Sequence, residues 1–140
     1  MSKRHLSMVL VFLAFFGTTV PVSAEDKEPP LFKWRKVEIA KIDIGYGVQL
    51  TDVDGDKKTD IVLADKKTIQ WYQNPSWKKH IIARDLTKRD NVCVTARDID
   101  GDGKCEIAVG GQWNFSETRK DGAVFYLIPP KDRTQMWTPV

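Results

Sequence analysis

The chain has 140 residues, with 22 Lys+Arg against 19 Asp+Glu for a formal net charge of +3, and 41% of its residues are hydrophobic. That length holds one small domain, and the ordinary hydrophobic content excludes wholesale disorder. So small a net charge gives no electrostatic reason to expect a nucleic-acid or polybasic membrane partner.

Lys3, Arg4 and His5 precede an apolar run over residues 6–16, and small residues follow at Val22-Ser23-Ala24. This is the pattern of a secretory signal peptide cleaved after Ala24. The run is far shorter than the roughly 20 residues that cross a bilayer, so a membrane span is not expected to remain after cleavage. A mature chain of 116 residues with net charge +1 would be secreted, periplasmic or displayed at the cell surface. In such a compartment Cys93 and Cys105 could pair. If the turn between them joins antiparallel strands, however, Cys93 faces a residue near Val109, and small half-buried thiols are the alternative.

Three elements recur in the same order. Trp34-Arg35-Lys36-Val37-Glu38-Ile39-Ala40 returns 43 residues later as Trp77-Lys78-Lys79-His80-Ile81-Ile82-Ala83, and Trp137 opens a third copy. The turn Asp52-Val53-Asp54-Gly55-Asp56 with its following Asp60 returns 46 residues later as Asp98-Ile99-Asp100-Gly101-Asp102 with Glu106. Ile69-Gln70-Trp71-Tyr72 has its counterpart in Val124-Phe125-Tyr126-Leu127. Each element is a short β-branched or aromatic run closed by Gly, Asn, Asp or Pro, the grammar of strands and turns. The pattern predicts an all-β chain of four-stranded antiparallel units, the blade of a β-propeller. The second unit carries an insertion around Trp113-Asn114-Phe115, whose aromatic pair is a candidate ligand contact.

The acidic turns carry the chemistry. Carboxylates stand at loop positions 1, 3, 5 and 9: Asp52, Asp54, Asp56 and Asp60 in the first copy, and Asp98, Asp100, Asp102 and Glu106 in the second. Position 7, Lys58 or Lys104, would offer its backbone carbonyl. Four carboxylates within nine residues repel one another at neutral pH unless a cation sits among them. The all-oxygen donor set points to calcium rather than zinc, and its density favours calcium over magnesium. An EF-hand is excluded, because position 12 is Leu63 or Val109 inside an apolar strand rather than a bidentate Glu.

Gly45-Tyr46-Gly47-Val48, the Asp-x-Asp-Gly-Asp turn, Ile61-Val62-Leu63-Ala64 and Ile69-Gln70-Trp71-Tyr72-Gln73-Asn74-Pro75 together resemble the FG-GAP repeat, also called the VCBS repeat, of bacterial integrin-alpha-like β-propellers. The resemblance implies residues 45–83 as one repeat and 84–140 as a second whose closing Trp-strand is truncated, after a segment 25–44 holding the first Trp-strand. It also implies calcium at the two acidic loops. About two blades are present, so the expected propeller is incomplete and needs further blades or oligomerisation. The expected function is non-catalytic recognition of a protein or glycan; the alternative is part of a secreted polysaccharide lyase or hydrolase, although no nucleophile–base pair or His cluster is visible.

Overall fold

The computed structural model describes residues 32–117 and 119–140. The predicted signal peptide lies outside the described residues. The chain divides into two units, Met1–Lys36 and Val37–Val140. Of the first, residues 32–36 are described, with the exposed rings of Phe32 and Trp34 6.5 Å apart.

The second unit holds eight strands and, among the described residues, no helix. β1 (Gly45–Thr51), β2 (Asp60–Asp65), β3 (Thr68–Gln73) and β4 (Lys78–Arg84) form one antiparallel sheet in chain order. β5 (Cys93–Arg97), β6 (Glu106–Gly111), β7 (Ala123–Ile128) and β8 (Thr138–Pro139) form a second with the same order. Two four-stranded antiparallel up-and-down sheets are the expected pair of propeller-type blades. Cys93 stands opposite Gly110 in the register, next to the expected Val109.

The first Trp element departs from expectation. Residues 34–40 form no strand, although they share the pattern of β4. A strand exists only against a neighbour's free hydrogen-bonding edge, and no third strand precedes this segment among the described residues. The second copy begins one residue late, because Trp77 adopts a left-handed φ of 56° and its N–H closes a turn onto the Gln73 carbonyl at 2.6 Å. In the third copy only Thr138 and Pro139 count as strand, flanked by a reciprocal backbone pair between Tyr126 and Val140.

The alternating pattern of each strand sends one side-chain set between the two sheets. Val62, Ala64, Ile69, Trp71 and Ile82 of the first sheet meet Val94, Ile107, Val109 and Leu127 of the second in one buried cluster. Gly47 is the point of closest approach, since a Cβ there would lie 3.3 Å from Val94. Trp137, just before β8, closes the seam: its backbone N–H bonds the Ile82 carbonyl of β4 at 2.8 Å and its indole N–H bonds the Arg133 carbonyl at 3.2 Å. Replacing this buried ring, Trp137→Ala, should cost about 3–5 kcal/mol in denaturant unfolding. Trp77→Ala, at the half-buried sequence counterpart, should cost clearly less.

Candidate metal centre

Both acidic turns lie at the same end of their sheets, between β1 and β2 and between β5 and β6. The carboxylates that the alternating spacing turns inward first serve as acceptors for their own loop. Asp52 takes the N–H groups of Gly55 and Lys57, both at 2.7 Å, and Asp98 takes those of Gly101 (2.7 Å) and Gly103 (2.9 Å). Asp54 and Asp100 each accept the N–H two residues on. The ninth residue reaches back to the second: Asp60 accepts the Val53 N–H at 3.0 Å, and Glu106 accepts that of Ile99 at 2.9 Å. The repeat in sequence is thus a repeat in hydrogen bonding, and replacing Asp60 by the longer Glu106 preserves it.

This folding gathers Asp52, Asp54 and Asp60 so that their carboxylate oxygens lie within 4.8 Å of one another, and likewise Asp98, Asp100 and Glu106. Asp56 and Asp102 stand outside these groups. Each accepts the backbone N–H of the lysine two residues on, and Lys58 and Lys104 turn their ammonium groups to them at 2.7 and 3.8 Å. In the first loop this pairing lowers the Asp56 carboxyl and raises the Lys58 amine.

The two clusters differ in what supports them. Asp60 is fully buried, and burial raises its pKa above the ordinary carboxylate value. Hydrogen bonds from Asn74 and Val53 oppose that shift, while the charges of Asp54 and Asp56 add to it. Gln73, at the end of β3, donates to Asp54 at 2.6 Å. In the second cluster Arg133 stands 3.8 Å from Glu106, both side chains about nine-tenths covered. Its guanidinium also bonds the carbonyls of Val53 (3.1 Å) and Cys105 (2.6 Å) and lies over the Trp137 ring at 5.3 Å. The sequence reading missed Arg133; its only trace is the longer connection before the third Trp, residues 129–136 against 74–76. The loops also touch. Cys105 N–H bonds the Asp52 carbonyl at 3.1 Å, and a Cβ on Gly55 would meet the Lys104 stem at 2.7 Å. Gly55 has a φ of +85°, the left-handed region that favours glycine, and the Lys104 side chain would have to shift for any larger residue.

The donor set fits a calcium ion. Calcium takes six to eight oxygens at about 2.3–2.6 Å, the three carboxylates converge, and buried Asp60 has no ammonium or guanidinium within ion-pair distance among the described residues.

At the opposite end, Trp113 of the insertion forms a bridge with Asp90. Its ring stands edge-on to Tyr46 at 5.9 Å and to Phe115 at 6.1 Å. The Tyr46 hydroxyl donates to Asp90 at 2.9 Å, and that bond first, then desolvation and the carboxylate charge, raises the phenol above its ordinary value. Tyr46, Asp90, Arg89, Trp113 and Phe115 line a cleft of about 440 Å³. Trp113 and Phe115 are therefore brought together, with Tyr46 and Asp90 as partners not foreseen from the sequence.

Residues 52–109 match the family model of the FG-GAP-like repeat. That segment, less than half of the chain, is similar to an FG-GAP-like repeat. It runs from the first carboxylate of one acidic loop to the strand that leaves the other, so all six gathered carboxylates fall inside it. No curated protein and no solved structure matches the chain.

Within the FG-GAP-like segment both thiols are free. Cys93 is exposed, whereas burial pushes the Cys105 thiol up to about 11 despite the neighbouring Arg133 charge, which keeps it protonated at neutral pH. A thiol reagent should therefore modify one cysteine in the native protein and two after denaturation, and a disulfide would leave none to titrate.

Proposed function

We propose that this β-propeller-like repeat module is an exported, non-catalytic recognition protein whose loops are stabilised by calcium and whose aromatic cleft engages a protein or glycan. One observation carries the calcium reading: two separate loops converge the same three carboxylate positions, each braced by the same set of backbone N–H groups. Asp52, Asp54 and Asp60 would hold one ion, and Asp98, Asp100 and Glu106 a second. Bound calcium supplies charge neutralisation. The N-terminal pattern ending at Ala24 supports export, and the exposed Trp113 and Phe115 support recognition.

The two sites are unequal in this reading. Arg133 stands 3.8 Å from Glu106, while among the described residues no cation lies within ion-pair distance of Asp52, Asp54 or the fully buried Asp60. An ion that binds only the folded state stabilises it by mass action, about 2.7 kcal/mol at a hundredfold excess over Kd. Adding calcium to chelator-treated protein should raise the melting temperature, and Asp54→Ala should remove more of that rise than Asp100→Ala. An unchanged melting curve would reduce both loops to Asp/Gly hairpin turns. On a glycan array paired with polysaccharide activity screening, Trp113→Ala should lose whatever binding the parent shows, without catalytic turnover in either protein. Hydrolysis or elimination abolished by mutating a carboxylate outside the loops would replace recognition with catalysis.

A further inference from the structure

The 46-residue offset that relates the two acidic loops also relates β1 to β5 and β2 to β6, so each side of the first sheet has a counterpart on the second. The seam between the sheets runs chiefly between β1 and β5. On the first sheet it uses Gly47, Val62 and Ala64, and on the second Val94. Shifted by the offset, the first set becomes Cys93, Ala108 and Gly110, which line the uncovered side of the second sheet. Val94, 6% exposed, corresponds to Val48, which is 58% exposed on the far side of the first sheet. Among the described residues, both halves of an interface that the two sheets make internally are thus also displayed without a partner.

Three details test this correspondence. Val53, in the first acidic loop, is fully buried against the second sheet, whereas its counterpart Ile99 is 69% exposed. A Cβ on Gly55 would strike the Lys104 stem, whereas one on the counterpart Gly101 meets nothing within 4 Å, and the counterpart of Lys104 is Lys58. The facing pair Gly47–Ala64 becomes Cys93–Gly110. There a Cβ on Gly110 would lie 2.6 Å from the Cys93 sulfur, so the sulfur takes the space of the Ala64 methyl and the surface keeps its relief. The uncovered side also carries two shallow hollows of about 190 and 230 Å³, between Ile99, Ala108 and Tyr126 and between Cys93, Ala108 and Val124.

We propose that a second copy of this chain fills that side, its Val48 and Leu50 entering the hollows that Cys93, Ile99, Val124 and Tyr126 surround. The contact is heterologous, joining two different surfaces head to tail, so each copy retains a free end for the next. Residues 37–42 lie across Ile61, Leu63 and Tyr72 but leave Val48 and Leu50 exposed, so the β1 part of the docking surface is already open. Apolar strand faces left to solvent favour association. Glu106 of the second acidic loop also lines the first hollow, so the docking surface borders one candidate calcium cluster and is read both with and without calcium.

Light scattering coupled to gel filtration over a dilution series, in calcium and in chelator, reads the outcome. The parent protein should run above monomer mass at high concentration. Val124→Asp damages one surface and Leu50→Asp the other, so each variant alone should stay monomeric. An equimolar mixture should form a heterodimer, because one variant keeps the first surface intact and the other keeps the second. Ile99→Asp, in a loop, replaces Val124→Asp if that variant melts early. A monomeric parent, variants that still assemble alone, or a mixture that stays monomeric would each overturn the proposal.

Discussion

One guanidinium joins the two sheets at their acidic end. Arg133 lies between β7 and β8, yet it bonds the Val53 carbonyl of the first acidic loop and the Cys105 carbonyl at the end of the second, pairs with Glu106, and covers the Trp137 ring. A planar cation with five donors can satisfy carbonyls from separate strands at once, which an ammonium group on a flexible stem does less well. Because the pair with Glu106 is largely shielded from water, losing one partner would leave the other charged and uncompensated, at a cost of about 3–5 kcal/mol. The position of Trp137, and with it the closure of the seam onto β4, follows from where Arg133 holds the connection.

The sheets separate two kinds of chemistry. Acidic loops stand where β1 and β5 end, and the aromatic cleft stands where they begin. Each element inherits its order from a ladder rather than from its own loop: Gln73 braces Asp54 from the last residue of β3, and Asp90 is fixed by its bridge to Trp113 at the end of β6. Loops carried this way change chemistry without changing the fold, which is how one repeat type serves different ends.

The strands and the metal-ligand candidates were largely legible, because both depend on local rules. Short β-branched and aromatic runs between Asp, Gly, Asn and Pro read as strands within a few residues of their bounds. The fate of the fifth loop position was not legible. Asp56 and Asp102 have the right spacing, but a lysine two residues on competes for each. Trp34, Trp77 and Trp137 look alike in sequence and differ wholly in the fold: one is exposed, one begins a strand from a left-handed turn, and one closes the core. What separates them is whether a partner strand or sheet is present, and that information lies far away in the chain. Arg133 was invisible for the same reason, since its partners are 28 and 80 residues distant.

At the aromatic end, Lys67 directs its ammonium group at three consecutive carbonyls, those of Thr87, Lys88 and Arg89, at 3.4, 2.9 and 3.0 Å. Oxygen atoms converging on a positive centre are also what an acidic loop offers a metal, but here the cation is covalently tethered to the turn after β2. A tethered cation cannot be diluted away or chelated. The loop that leads to Asp90 therefore gathers its three carbonyls around a charge the chain brings with it, with no bound ion needed.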